Sequence, residues 1–166
     1  MLSTNVKLKN FEKNKKKSNI VKILTNIRKN FNNKTDLFLL SLSSHYKDSF
    51  NSVDLKKYKK FKFYRLIGMG GSSLGAKAIY SFLKNKIKKR FEFIDNINPQ
   101  KYKDIKKKRL NIVISKSGNT LETITNFHSI KDTKNCIFIT ENKNNYLRKI
   151  ATKMSNEIFE HRNFIG

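Results

Sequence analysis

The sequence predicts an open α/β fold in which a parallel sheet carries helices on both faces. Short apolar segments rich in β-branched and aromatic residues alternate with segments whose apolar residues recur at helical spacing. Strands that are separated by helices pair in parallel with right-handed crossovers. We therefore expect a doubly wound five-stranded sheet with the flavodoxin-like strand order 2-1-3-4-5.

The chain before this sheet is predicted to be helical. Residues 1–17 are polar and Lys-rich, and we expect them to be loosely attached. Apolar residues at helical spacing, beginning at Ser18, predict lead-in helices that fill residues 18–60. The α/β domain itself is assigned to residues 61–166. The three predicted lead-in helices start near residues 18, 35 and 54.

Five strands and four helices follow in alternation. The predicted strands read FKFYRLIGM, FEFIDNI, LNIVIS, CIFIT and NEIFEHR. The predicted helices between them read LGAKAIYSFLKNKI, KYKDIKKKR, TLETITNFHSI and NYLRKIATKM. Asn98 and Pro99 close the second strand.

The formal net charge of +25 raises the question of a nucleic-acid partner. The 37 basic residues comprise 31 lysines and six arginines, whereas recognition of bases and phosphates relies on the bidentate fork of arginine. Abundant Lys, Asn, Ile and Phe together are typical of an AT-rich coding sequence. We therefore do not expect nucleic acid as the partner, although the charge would concentrate any anionic substrate.

Two further classes are disfavoured by composition. No run of 18 apolar residues is present, so a membrane-spanning protein is not expected. The basic N-terminus lacks the apolar run of a secretory signal, and we expect a cytoplasmic protein. Cys136 is the only cysteine and lies in the apolar segment CIFIT, which predicts a core residue rather than a nucleophile.

Small residues cluster after the first and third predicted strands. GMGGSSLG occupies residues 68–75 and SKSGNT occupies residues 115–120. In the expected strand order, both segments lie where the winding direction reverses, which is where ligands bind in such sheets. Small hydroxyls beside free N–H groups at a helix N-terminus favour an anion. The two segments therefore predict a phosphate site.

Neither common nucleotide motif fits the first segment. The dinucleotide fingerprint requires glycine where Ser73 stands. The P-loop requires Lys and then Ser or Thr after Gly75, where Ala76 and Lys77 are found. Tight turns and close helix packing would explain Gly68 and Gly75 but not the residues between them.

The two segments together resemble the signatures of the sugar isomerase (SIS) domains, and within them those of the glucose-6-phosphate isomerases. The family patterns are GIGGSxLG and SK(S/T)xxTxET, and this chain has GMGGSSLG and SKSGNTLET, the latter at residues 115–123. The C-terminal EHRNFIG is similar to the segment that follows the family's fifth strand. The resemblance covers about residues 20–166. It implies the N-terminal half of a longer enzyme whose second SIS domain is absent from this chain.

The resemblance also implies an activity. Members of the family interconvert glucose 6-phosphate and fructose 6-phosphate in glycolysis and gluconeogenesis, without a cofactor, and as homodimers. The carboxylate base lies in the second half of the enzyme, so no catalytic residue is assigned here, and we expect this chain alone to bind sugar phosphate without turning it over.

The resemblance implies roles for seven residues. The sugar phosphate would be held by Ser115, Lys116, Ser117 and Thr120, while Gly71 and Ser72 would line the opposite wall. Glu122 would face the sugar.

Glu122 also admits a structural interpretation. Asn119 followed three residues later by Glu122 has the spacing of a capping box, in which the carboxylate satisfies the helix start. Both interpretations stay open at this point. The three histidines have no metal-like spacing, and no metal site is expected.

Other functions stay open as well. A non-catalytic sugar-phosphate sensor or another sugar-phosphate isomerase would use the same fold. A regulator of that kind would carry a DNA-binding helix pair, and the lead-in helices lack its Gly-containing turn. A basic nucleic-acid-binding protein would need arginine or aromatic readout of bases, which the sequence does not show.

Overall fold

The computed structural model describes residues 17–32, 41, 46–97 and 108–165 of the chain. The chain divides into two compact units, residues 1–46 and 47–166. In the first unit, α1 spans Lys17–Asn32, as the apolar spacing predicts. The loosely attached terminus, the second lead-in helix and the helix predicted in KYKDIKKKR lie wholly or mostly outside the described residues.

The second unit contains the alternating elements. A short 3-10 helix, Lys56–Lys60, stands where the third lead-in helix was predicted. The strands are β1 (Phe63–Ile67), β2 (Arg90–Ile94), β3 (Arg109–Ile114), β4 (Cys136–Glu141) and β5 (Glu157–His161). The helices are α2 (Gly71–Leu83), α3 (Leu121–Ser129) and α4 (Tyr146–Lys153).

The five strands form one sheet in the order β2-β1-β3-β4-β5. Every neighbouring pair is parallel. In the register, Ile67 at the end of β1 lies opposite Val113 of β3 and Ile94 of β2. The predicted fold class and strand order are confirmed, and the segments after β1 and β3 leave the same edge of the sheet side by side.

Helices cover both faces of the sheet. On one face, α3 and α4 pack onto the main core, which includes Phe127 and Leu147 from the helices and Phe138 from β4. On the other face, Tyr80 of α2 packs against Phe91 and Phe93 of β2, with ring centroids 5.2 and 5.8 Å away. Winding therefore reverses between β1 and β3, as a doubly wound sheet requires.

Two buried arginines and one glutamate form ion pairs that connect β2, β1 and β3. Arg65 of β1 and Arg109 of β3 are almost fully buried. Glu92 of β2 accepts from Nε of Arg65 at 2.8 Å and from Nη1 of Arg109 at 2.9 Å through the same oxygen. Losing this carboxylate would remove an ionic partner from two buried guanidinium groups, so the interaction favours one register of β2, β1 and β3.

Cys136 is a core residue, as predicted. It is 5% exposed within the main core. Burial raises the pKa of its thiol to about 11, which keeps the sulfur protonated and unreactive near neutral pH. Among the described helices, none is long and apolar enough to cross a bilayer.

Candidate functional site

Residues 115–120, which we call the hydroxyl loop, connect β3 to α3 and bring three hydroxyls together. The Oγ of Ser115 lies 2.8 Å from the Oγ1 of Thr120, and the Oγ of Ser117 lies 3.5 Å from each of them. Backbone N–H groups fix two of these oxygens: Gly118 donates to Ser115 at 3.1 Å and Asn119 donates to Ser117 at 3.2 Å. The loop thus collects three of the predicted site residues in one cluster.

The cluster sits at the start of α3, and that start has no side-chain cap. Thr120 is the N-cap residue with extended backbone angles, and its side chain makes no capping hydrogen bond. The first helical bond runs from the N–H of Ile124 to the carbonyl of Thr120 at 3.0 Å. The N–H groups of the first turn point along the helix axis toward an anion that would lie at this end. The hydroxyls and the helix start therefore offer donors to one ligand.

The neighbouring helix α4 starts at the same edge of the sheet, but its first N–H groups are occupied. Tyr146 donates to the Oδ1 of Asn119 at 3.0 Å, and Leu147 donates to the carbonyl of Gly118 at 3.0 Å. Arg148 donates to the Oδ1 of Asn145, the N-cap residue, at 2.9 Å. All three groups are satisfied by the protein, two of them by the hydroxyl loop.

These contacts exclude the capping-box interpretation of Glu122. A capping box would need Asn119 as N-cap and Glu122 as the third helical residue. The structure makes Thr120 the N-cap and Glu122 the second helical residue, while Asn119 accepts from Tyr146. Glu122 is instead a half-buried carboxylate in the first turn, next to the hydroxyl cluster in sequence.

Residues 68–73, which we call the glycine loop, approach the end of β3 closely. A Cβ on Gly68 would lie 3.0 Å from the carbonyl oxygen of Ile114. Gly70 has φ +56°, a conformation that favours glycine, and caps α2. Gly71 is exposed, with open space where a Cβ would stand, and Ser72 is half-buried. The glycine loop and the hydroxyl loop are thus neighbours, as the strand order predicts.

One explanation offered for the glycines is wrong at Gly75. A side chain there would meet nothing within 4 Å, and the residue is exposed, so close packing among the described residues does not require glycine at this position. Ser73, which breaks the dinucleotide fingerprint, is fully buried and donates to the carbonyl of Gly70 at 3.3 Å.

Charges beneath the hydroxyl loop belong to a small network around Glu141. The Nζ of Lys143 lies 2.7 Å from one carboxylate oxygen of Glu141, and the Nζ of Lys116 lies 3.9 Å from the other. The hydrogen bond from Lys143 is the main cause that holds the pKa of the Glu141 carboxyl below its ordinary value. Lys116 therefore stands at the base of the loop near an ionised, buried carboxylate.

Neither of the two histidines that the structure describes joins this site. The Nε2 of His128 lies 2.9 Å from the hydroxyl of Tyr146, and the Nδ1 of His161 lies 2.9 Å from the carbonyl of Arg162. His45 lies outside the described residues. Within the described part of the chain, no group of three or more His, Cys, Asp or Glu residues could hold a metal ion.

Two residues of the site were missed by sequence reasoning. Asn119 was considered only as a possible cap, and Asn145 only as the first residue of the predicted helix NYLRKIATKM. Asn145 directly precedes an apolar-periodic segment, which is an N-cap signal. That signal identifies the helix start, but the contact between Asn145 and the hydroxyl loop depends on tertiary structure.

Comparisons with known proteins match the greater part of this chain. Residues 44–160 match the family described as phosphoglucose isomerase. Glucose-6-phosphate isomerase of Borrelia garinii is 38% identical over 128 residues, which cover 65% of this chain and 24% of the relative. That of Methanocaldococcus jannaschii is 42% identical over 94 residues, covering 52% and 23%. The chain thus spans about a quarter of the length of these curated relatives.

Solved structures share the fold at low sequence identity. A hypothetical protein from Thermus thermophilus superposes with a TM-score of 0.59 and 22% identity, covering 90% of this chain and 41% of that one. Tagatose-6-phosphate ketose/aldose isomerase from Escherichia coli gives 0.53 and 21%, covering 66% and 32%.

The sheet order and the two loops at its reversal point define an open, doubly wound α/β domain, a fold that the chain shares with these solved structures. Since the family match extends over most of its residues, the chain belongs to the phosphoglucose isomerase family.

Proposed function

We propose that this chain is the sugar-phosphate-binding domain of a glucose-6-phosphate isomerase. The observation that carries the proposal is the contrast between two adjacent helix starts. The N–H groups of α4 are used within the protein, whereas α3 starts beneath three converging hydroxyls with no side-chain cap. An anion is therefore best placed at α3.

The phosphate would be bound by the hydroxyl loop. Ser117 and Thr120 would donate hydroxyl hydrogen bonds, and the buried Ser115 would orient Thr120 through their 2.8 Å contact. Lys116 would contribute positive charge from the base of the loop. Several charge-assisted hydrogen bonds to one phosphate would be strong together.

The sugar would extend from the phosphate toward the glycine loop. Gly71 is exposed with open space above it, and Ser72 is half-buried beside Gly68, so a ligand could approach the backbone closely there. Glu122, in the first turn of α3, would accept from a sugar hydroxyl. This arrangement supports binding of glucose 6-phosphate or fructose 6-phosphate.

Turnover would need more than this chain. Proton transfer between C1 and C2 requires a base positioned at the substrate carbon, and we place that base in a second SIS domain and across a homodimer contact of the longer enzyme. The length of the curated relatives supports a further domain. Reading the coding DNA beyond Gly166 tests this part, because a frame without a second sheet-forming segment would contradict it. We also place the enzyme in the cytoplasm.

The binding proposal is tested with Thr120→Ala. Removing this hydroxyl should cost about 1.5 to 3 kcal/mol of binding free energy, which is at least about a tenfold loss of affinity. The helix should persist, since the Thr120 side chain makes no capping bond. Calorimetric titration of glucose 6-phosphate and inorganic phosphate into both proteins measures the change.

Thr125→Ala is the matched control, because Thr125 is an exposed residue of the same helix. It should bind as the wild type does. Equal affinities of the wild type and Thr120→Ala would mean that the hydroxyls only shape the turn, and absent binding by the wild type would contradict the proposal itself.

A further inference from the structure

We propose that Asn145 is a positioning residue for the hydroxyl loop: its side-chain amide joins the start of α4 to that loop and so holds the phosphate-binding hydroxyls in place. The ligand part of this inference rests on the proposed function. The contact part rests on the structure alone, and the two are tested separately below.

The amide of Asn145 is fully used inside the protein. Asn145 is 3% exposed. Its Nδ2 donates to the Oγ1 of Thr140 at 3.1 Å and to the carbonyl of Glu141 at 3.3 Å. Its Oδ1 accepts from the N–H of Arg148 at 2.9 Å. One side chain therefore links the end of β4 to the first turn of α4, which fixes its orientation.

The same amide lies directly against the turn of the hydroxyl loop. A Cβ placed on Gly118 would lie 2.0 Å from the Oδ1 of Asn145, which no real structure tolerates, and Gly118 has φ +66°. The Asn145 amide thus occupies the space that any other residue at 118 would need. Gly118 and Asn145 form one packing unit, in which the shape of the loop depends on the amide.

Hydrogen bonds from both sides of Asn145 extend this contact over the whole loop. Leu147 donates to the carbonyl of Gly118, and Tyr146 donates to the Oδ1 of Asn119, each at 3.0 Å. On the other side, the N–H of Glu141 donates to the carbonyl of Lys116 at 3.1 Å. The loop is thus held at residues 116, 118 and 119 by the segment of residues 141–147, which contains Asn145.

Loss of the Asn145 amide should therefore loosen the loop without removing a ligand contact. Gly118 N–H orients Ser115, and Asn119 N–H orients Ser117. If the turn relaxes, both hydroxyls lose the N–H groups that orient them. Small misplacements of binding groups weaken binding strongly.

Asn145→Ser is the test variant, because serine caps a helix about as well as asparagine but lacks the amide. We expect the affinity for glucose 6-phosphate and for inorganic phosphate to fall about tenfold. We also expect amide hydrogen exchange, followed by NMR, to become faster at Gly118 and Asn119 but not in β3. Thr152→Ala, which removes a 3.0 Å bond to the carbonyl of Arg148 in the same helix, should change neither.

The outcomes separate the two proposals. Loop exchange that stays at the wild-type rate in Asn145→Ser overturns the positioning role, whether or not a ligand binds. Wild-type affinity in Asn145→Ser, with a wild type that binds, also overturns it. A wild type that binds neither probe, combined with faster loop exchange in the variant, contradicts the proposed function and leaves the contact between Asn145 and the loop supported.

A double-mutant cycle tests the packing unit directly. In the wild-type background, Gly118→Ala should lower the urea midpoint strongly, because its methyl group collides with Asn145. In the Asn145→Ser background the same substitution should cost measurably less, since the amide is gone. Additive effects of the two substitutions would overturn direct contact. If Asn145→Ser does not fold, Asn145→Gly replaces it in each measurement, because glycine also caps helices and removes the Oδ1 that lies where a Cβ of residue 118 would stand.

Discussion

The starts of α3 and α4 are alike in sequence and opposite in use. Each follows a buried parallel strand at the same edge of the sheet, and each begins after polar residues. Asn145 caps α4, and the first three N–H groups of that helix are bound within the protein. Thr120 stands at the N-cap of α3 without capping it, because its hydroxyl faces Ser115 instead. The start of α4 supports the loop, and the start of α3 is where we propose that the phosphate binds.

The difference shows why a polar residue before a helix does not by itself identify an anion site. Both asparagine and threonine favour the N-cap position, and a helix start carries the same partial positive charge in either case. What distinguishes the two is where the side-chain oxygen points. At α3, the Thr120 hydroxyl points toward Ser115, five residues earlier. At α4, the Asn145 side-chain oxygen lies against Gly118 of the neighbouring loop.

The largest effect should come from giving α3 the cap it lacks. Thr120→Asp places a carboxylate at the N-cap, where it can accept from the first-turn N–H groups and should stabilise the domain by about 1 kcal/mol. The same carboxylate occupies the anion position and repels a phosphate. Affinity for inorganic phosphate should therefore fall about 100-fold, which corresponds to about 2.8 kcal/mol.

Urea denaturation measures the expected gain in stability, and calorimetric titration measures the expected loss of phosphate affinity. Thr120→Asn is the uncharged comparison and should weaken binding less than Thr120→Asp. A Thr120→Asp protein that still binds phosphate at wild-type affinity would place the anion away from α3.

Much of the fold could be predicted from the sequence, because the signals are local. Alternation of apolar strands with helical spacing gave the element order, and the rule for parallel crossovers gave the sheet. The strand bounds differ from prediction by one to two residues at most ends, for example in FKFYRLIGM, of which Phe63–Ile67 forms the strand. The 3-10 geometry of Lys56–Lys60 was not predicted, since this polar segment lacks a periodic apolar face.

The candidate site could be predicted only in part. The hydroxyls of residues 115–120 and the glycines of residues 68–71 each follow a predicted strand. Their proximity in space could therefore be predicted from the strand order alone. The capping interpretation considered for Asn119 and Glu122 does not hold, because a cap spacing is local whereas the contact of Asn119 with Tyr146 joins residues far apart in sequence. Asn145 was missed for the same reason, since nothing near it in sequence indicates Gly118 as its neighbour.

The pH dependence of stability also distinguishes the two helix starts, because Glu141, at the end of the strand that precedes α4, is a buried carboxylate. The pKa of Glu141 lies below its ordinary value of 4.5, chiefly through the hydrogen bond from Lys143. A lowered folded-state pKa stabilises the protein above the unfolded pKa, and this contribution is lost as the pH falls through the folded value. We therefore expect the urea midpoint to fall as the pH drops below about 4.5.

Glu141→Gln should flatten this dependence, because the amide does not titrate. Glu160→Gln, at an exposed carboxylate, provides the control for the loss of one negative charge. An identical acid profile for Glu141→Gln and the wild type would show that the Glu141 network does not stabilise the α4 start.

The smallest effect, and the most discriminating one, concerns Glu122 in the first turn of α3. As the second helical residue it has a favourable interaction with the helix dipole, so Glu122→Gln should lower the unfolding free energy by about 0.3 to 1 kcal/mol. If Glu122 faces the sugar, the substitution weakens a hydrogen bond that glucose 6-phosphate makes and inorganic phosphate does not. Removing its negative charge should also help any bare anion at the same helix start. The ratio of the two affinities should therefore shift several-fold toward inorganic phosphate, measured by calorimetry on one protein preparation. An unchanged ratio would limit Glu122 to the helix start, and sugar recognition would then depend on the glycine loop, which Ser72→Ala would test by the same ratio.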